Sequence, residues 1–142
     1  MRLLLLASLI ATPAAAWEFS PTPVCTLEHE ATDSAWTLTY DPAEDLYAIA
    51  LTRAVTDWPA ATVFAIAFEG PRGLTISTTR HALSGDGRTL TVTDTGFGNV
   101  LDGLQYNATA TAMIGDARVI ADLEGAAPEV EAFRACTVGG VV

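Results

Sequence analysis

Apolar and polar residues alternate with a period of two along most of this chain, in short runs broken by Gly, Pro, Asp and Ser. Side chains of a strand point to opposite faces in turn, so this alternation predicts strands with one buried face. Such runs fall near 24–30, 35–40, 46–53, 62–69, 73–79, 88–94, 105–114 and 117–123. Trp36, Leu38 and Tyr40 share one face of the second run, Tyr47, Ile49 and Leu51 one face of the third, and Phe64, Ile66 and Phe68 one face of the fourth. Asp41-Pro42, Gly70-Pro71 and Ser84-Gly85-Asp86-Gly87 supply turns between runs, and Gly115-Asp116 has the length of a two-residue hairpin loop.

Two segments change period. Phe97, Val100, Leu101 and Leu104 are spaced as one face of a short helix over 99–104, for which Asn99 is the expected N-cap. From Ala126 to Cys136, Pro128 stands where a first helical turn accepts proline, and Val130, Phe133 and Cys136 follow at threefold spacing. The expected fold is all-β: a two-layer β-sandwich or flattened barrel of about eight antiparallel strands, closed by a short C-terminal helix. In a simple up-and-down order the loops at 41–45, 70–72 and 95–104 share one end and gather Arg72, Phe97 and Asn99. The loops at 54–61 and 80–87 share the other, with Trp58 and His81.

Residues 1–16 break this pattern in another way. Arg2, the apolar run Leu3 to Ile10 and the small residues Ala14, Ala15 and Ala16 have the three parts of a cleavable export signal. The apolar run ends near Pro13, short of the roughly 20 residues that span a bilayer. The mature chain is therefore expected to begin at Trp17 as one domain over 17–142, in the periplasm. Thr22-Pro23-Val24 before Cys25 does not fit a bacterial lipidation signal.

Charge narrows the partners. Without Arg2 the chain keeps six arginines against seventeen Asp plus Glu, and it has no lysine. A surface so negative repels phosphate backbones and anionic lipid, so neither nucleic acid nor a membrane surface is an expected partner. The missing lysine removes a P-loop, a Schiff base and a Ser-x-x-Lys pair from consideration. The two cysteines, Cys25 and Cys136, stand near opposite ends of the mature chain, and in an oxidising compartment an even pair is expected to form a disulfide.

Most catalytic spellings fail. His29-Glu30 opens a zinc-protease motif, but Asp33 stands where its second histidine belongs, and the segment reads as a strand. With His29 and His81 the only histidines, no three-histidine metal site is possible, and no metal or cofactor is expected. Ser77 and Ser84 lack the G-x-S-x-G context of a nucleophile beside His81, and Asp86 lacks the companions of a calcium loop. A carboxylate pair of the glycosidase kind depends on distance in space, not on spelling. Asn107-Ala108-Thr109 matches a glycosylation sequon, read as coincidence beside a bacterial type of signal.

The segments GPRGLTIST (70–78), GRTLTVTDTGFGNVLDGLQYNATATA (87–112) and GAAPEVEAFRAC (125–136) resemble a family of short exported proteins of GC-rich alphaproteobacteria. Some of that family carry the name of an excinuclease component, a role that the negative charge, the missing P-loop and the export signal all contradict. The resemblance implies an extracytoplasmic β protein and brings no catalytic residues.

The leading expectation is a non-enzymatic binding or interaction module for a protein or small ligand, acting through loops on a rigid scaffold. Its candidate residues are Trp58, Arg72, Phe97 and Asn99. Trp58, beside Pro59, is the expected exposed aromatic; Phe97 is expected to plug the core with Val100, Leu101 and Leu104, and Arg72 to be a solvated turn residue. The alternatives are a periplasmic hydrolase using a carboxylate pair or the His81 region, and a purely structural envelope-associated protein.

Overall fold

Ten strands and two helices form the molecule in a computed structural model that describes residues 16–139, and side chains as far as Thr137. The expected export signal over residues 1–16 lies outside the described residues except for Ala16. The strands are β1 (Glu18–Ser20), β2 (Cys25–Glu30), β3 (Ser34–Asp41), β4 (Leu46–Arg53), β5 (Phe64–Glu69), β6 (Leu74–Thr78), β7 (Ala82–Leu83), β8 (Thr89–Asp94), β9 (Thr109–Ile114) and β10 (Ala117–Asp122). Helix α1 covers Gly98–Tyr106 and α2 covers Ala126–Gly139.

The strands make two antiparallel sheets, one ordered β1-β2-β3-β4-β8-β7 and the other β10-β9-β5-β6. This is an open sandwich and not a closed barrel. The order is also not up-and-down: the chain crosses between sheets after β4, returns between β6 and β7, and crosses again through α1. Hydrophobic alternation gives each strand a buried face but does not say which sheet the next strand joins. The strand count exceeds the expected eight because β1, in the proline-broken lead, and the two-residue β7 are too short to show a period. Gly115-Asp116 does close a hairpin, with Ile114 opposite Ala117 and Gly115 at φ 56°.

The alternating side chains meet between the sheets. Leu27, Trp36, Leu38, Ile49, Leu51 and Leu90 face Phe64, Ile66, Phe68, Ile114 and Val119, all buried, and such side chains contribute roughly 1.5–3 kcal/mol each. On neighbouring strands the rows pair large with small, Phe68 beside Ala110 and Ile66 beside Ala112, which fills the layer without overcrowding. The outward face of the six-stranded sheet is left to short side chains, among them Thr37, Thr39, Ala50, Thr52, Thr89 and Thr91.

Both helices pack against this layer. In α1, buried Gly103 lies against Phe68, where a Cβ would overlap the ring, so glycine is what lets the helix sit this close. In α2, Val130 and Phe133 are fully buried, and Cys136 is bonded to Cys25 with the two Cα atoms 6.0 Å apart. Side-chain contacts between the helices join Arg134 to Asp102 at 2.6 Å and to Gln105 at 2.9 Å.

The expected cap of α1 is corrected. The helix starts at Gly98, Phe97 occupies the N-cap position with no side-chain cap bond, and Asn99 lies exposed inside the first turn. The segment at 105–107 also leaves the predicted strand: α1 runs through Tyr106 and β9 begins only at Thr109. Asn107 joins the two by donating from Nδ2 to the Gly103 carbonyl at 3.0 Å and the Arg72 carbonyl at 2.9 Å, while its Oδ1 accepts the Arg72 amide at 3.0 Å.

Candidate functional site

The two sheets do not close along their shared side. Strand β6 is the outer strand of one sheet, and β7 pairs with β8 only at Thr91 and Leu90, so among the described residues the far half of β8 has no paired strand there. A cleft of about 450 Å³ opens between these edges, within the roughly 300–1,000 Å³ usual for ligand sites. Ile49, Phe64, Ile66, Ile76 and Val92 line it from both sheets, and Phe97 and Val100 close its lower end. Strand β5 explains why the floor is apolar: its inward residues are fully buried, whereas Leu74 and Ile76 on the edge strand β6 are only half-buried.

Polar groups gather at the mouth. Arg80, in the crossing from β6 to β7, faces Asp94 at the end of β8, with 3.5 Å between Nη2 and Oδ2. The other carboxylate oxygen of Asp94 accepts the Thr95 amide at 2.7 Å. Gly96, Gly98 and Asn99 complete the rim, where α1 begins with no acidic residue in its first turn. The first intrahelical bond runs from the Leu101 amide to the Phe97 carbonyl, so the preceding amides of the helix stand outside its ladder.

The expected site residues separate. Phe97 and Asn99 both line the cleft, Phe97 as a buried wall stacked on Tyr47 with ring centroids 5.5 Å apart, and Asn99 as an exposed rim residue. Arg72 does not join them. It sits at the other end of α1, its guanidinium 4.3 Å from the centre of the Tyr106 ring, with seven residues or roughly 10 Å of helix between Asn99 and Tyr106. Trp58 is a correction: it is buried, not an exposed aromatic. Its indole N–H donates to the Leu51 carbonyl at 3.0 Å, and the Arg53 guanidinium covers the ring at 5.3 Å.

Sequence reasoning missed Arg80, Asp94 and Ile76. Arg80 lies in the crossing between the sheets and Asp94 at the end of β8, and they meet only because the chain crosses over at 79–81. The local spelling Thr-Arg-His carries no sign of that meeting.

The groups considered for hydrolysis are engaged elsewhere. His81 is within 2.9 Å of the Ala61 carbonyl through Nε2. Ser84 donates to Asp86 at 2.5 Å and accepts the Thr89 amide at 3.0 Å, as a turn residue does. With the backbone amide of Arg88 this bond holds the Asp86 carboxyl below its ordinary range. Among the described residues, no hydrogen bond joins His81 to Ser77 or Ser84, and no group of three His, Cys, Asp or Glu could hold a metal ion.

A second hollow, of about 980 Å³, is rimmed by Glu30, Asp33, Asp122 and Glu124 beside Ala16, His29 and Ile120. Its apolar lining is Ala16, Ala31 and the exposed Ile120, with none of the large core side chains that floor the cleft. His29 is buried there, stacked on Trp17 at 4.6 Å, and its Nδ1 has no hydrogen-bond partner. Burial holds its pKa below the ordinary 6.5, against the opposing pull of the Ala16 carbonyl and the Asp122 charge. Since the unfolded chain takes up this proton more readily, the contribution of His29 is fully present above about pH 6.5 and is lost as pH falls from there through the folded value. His29→Phe is expected to flatten that part of the stability profile, which urea titrations between pH 7 and 5 measure; an unchanged slope would assign the loss to other groups.

Comparison of the chain with protein-family models, characterised proteins and solved structures finds no match.

Proposed function

We propose that the chain is an exported, non-enzymatic binding protein that takes an apolar group into the cleft between its two sheets. The observation that carries this reading is the cleft itself: an opening of about 450 Å³ whose floor of Ile49, Phe64 and Ile66 is continuous with the core. Leaving apolar surface exposed at such an edge costs stability that burial would recover, and a ligand recovers it. The polar groups at the rim give it orientation, as few and convergent polar groups do in ligand sites. The loops first expected to bind do not converge on one patch, because α1 separates Arg72 from Asn99.

Export is supported by the disulfide between Cys25 and Cys136, which persists in oxidising compartments, and by the order of packing along the chain. Trp17 is the first core residue: its ring is buried and its indole N–H donates to the Asp122 carbonyl at 2.8 Å. Cleavage after Ala16 would leave this anchor intact. No helix among the described residues is long and apolar enough to cross a membrane. The intact mass of protein isolated from its host is expected to match residues 17–142; a mass that includes Met1 would contradict export by cleavage at this site.

The binding reading is tested with N-phenyl-1-naphthylamine, a neutral apolar fluorophore. Wild-type protein is expected to bind one equivalent with enhanced fluorescence. Ile76→Trp fills the cleft from its edge strand and is expected to weaken binding at least about tenfold, a loss of roughly 1.4 kcal/mol, while thermal unfolding stays near wild type. Undiminished binding by a folded Ile76→Trp variant would place the probe elsewhere.

A further inference from the structure

We infer that the occupant of the cleft is a small amphipathic anion, with an aliphatic or aromatic body between the sheets and a single carboxylate at the mouth beside Arg80. This rests on the reading of the cleft as a binding site and specifies its ligand. Two features of the mouth carry it beyond the apolar floor.

The first is the state of Arg80. Five other arginines lie among the described residues, and four are occupied. Arg53 donates to the Asp57 carbonyl at 2.6 Å, Arg72 covers Tyr106, Arg88 donates to the Arg53 carbonyl at 3.0 Å, and Arg134 is held by Asp102 and Gln105. Arg118 sits on the outward face of β10, away from the cleft. Arg80 is the cation of the cleft, with a side chain 76% exposed and only the 3.5 Å contact to Asp94. A charge-assisted bond is shorter, about 2.7–2.9 Å, and exposed pairs are worth about 0–1 kcal/mol. Its planar fork of donors therefore remains open to a carboxylate, which it can grip through two bonds at once.

The second is the wall beside it. The start of α1 lines the same cleft with Gly98, Asn99 and Val100, carries no acidic residue in its first turn and has no side-chain cap. Helix N-termini favour negative charge through these unpaired amides. On a chain of net charge −10, this mouth sets one carboxylate, Asp94, against an exposed arginine and an uncapped helix start, so unlike the rest of the surface it carries no excess of negative charge to repel an anion. Asp94, restrained by the Thr95 amide, is the competitor for Arg80 at this mouth.

The experiment compares decanoate, decanol and decyltrimethylammonium, below their aggregation concentrations, by calorimetric titration of the full mature protein. Decanoate is expected to bind about tenfold more tightly than decanol, a gap set by its charge-assisted contact. Arg80→Gln is expected to erase that gap by weakening decanoate about tenfold, and Arg80→Lys to restore part of it. Asp94→Asn, which frees Arg80, is expected to tighten decanoate. Equal binding of decanoate and decanol, or tighter binding of the ammonium compound through Asp94, would overturn the anionic assignment and leave the apolar cleft standing. Failure of all three to bind would overturn both.

Discussion

Cys25→Ser, Cys136→Ser and the double variant are each expected to lower stability by about 4–5 kcal/mol, to nearly the same level. The bond spans 111 residues, close to the whole described chain, and on the chain-entropy account the restriction of the unfolded state grows with the logarithm of that loop. Either single change opens the same loop, so the double change removes little more. Against a total stability of about 5–15 kcal/mol this is a large share. The folded form survives the loss only through the packing that remains at this corner: Val130 and Phe133 stay buried, and Glu129 still accepts the Phe19 amide at 2.8 Å. Urea unfolding of the three variants beside oxidised and reduced wild type measures the effect. Reduced wild type is expected to coincide with the variants; a Cys25→Ser curve that overlies oxidised wild type would show that the link contributes nothing.

Phe97→Ala is expected to be nearly as costly, about 3–5 kcal/mol, with a fall in melting temperature on the order of 10 °C. The ring is 6% exposed, stacks on Tyr47 and stands at the point where α1 meets the sandwich. Tyr47 in turn lies 6.3 Å from Phe133, so the loss is felt by α2 as well. Asn99→Ala, two positions on, is expected to be nearly neutral because Asn99 caps nothing. An unchanged melting temperature for Phe97→Ala would mean that the ring is not part of the core and that the lower wall of the cleft is loose.

The strands were legible because alternation is a local signal, and the wide apolar faces of β3, β4 and β5 leave little choice about which side is buried. The C-terminal helix and its bond to the first long strand followed from threefold spacing and from two cysteines in one chain. What failed were inferences that needed neighbours far along the chain. Trp58 beside Pro59 resembles a loop aromatic in any local view, yet the Leu51 carbonyl and Arg53 wait for it across a turn. Asn99 resembles a cap, but the cap position is Phe97, two residues earlier and flanked by Gly96 and Gly98, where no side chain closes the helix. The sequon asparagine Asn107 is used internally, as a latch between the 70–73 turn and the end of α1. The cleft was invisible for the same reason: its floor consists of ordinary core positions, and what makes it a cleft is that, among the described residues, no strand pairs with the outer side of β6 or the far half of β8.

Isoleucine methyl NMR offers the most direct test of the claim that this opening binds ligand. Residues 17–142 contain five isoleucines, of which Ile49, Ile66 and Ile76 line the cleft, while Ile114 is buried elsewhere and Ile120 is exposed on β10. On titration with decanoate the methyl signals of Ile49, Ile66 and Ile76 are expected to move together to saturation at one equivalent, with Ile114 and Ile120 unmoved. Signals of Ile49, Ile66 and Ile76 that stay in place throughout the titration, or shifts confined to Ile114 and Ile120, would contradict it.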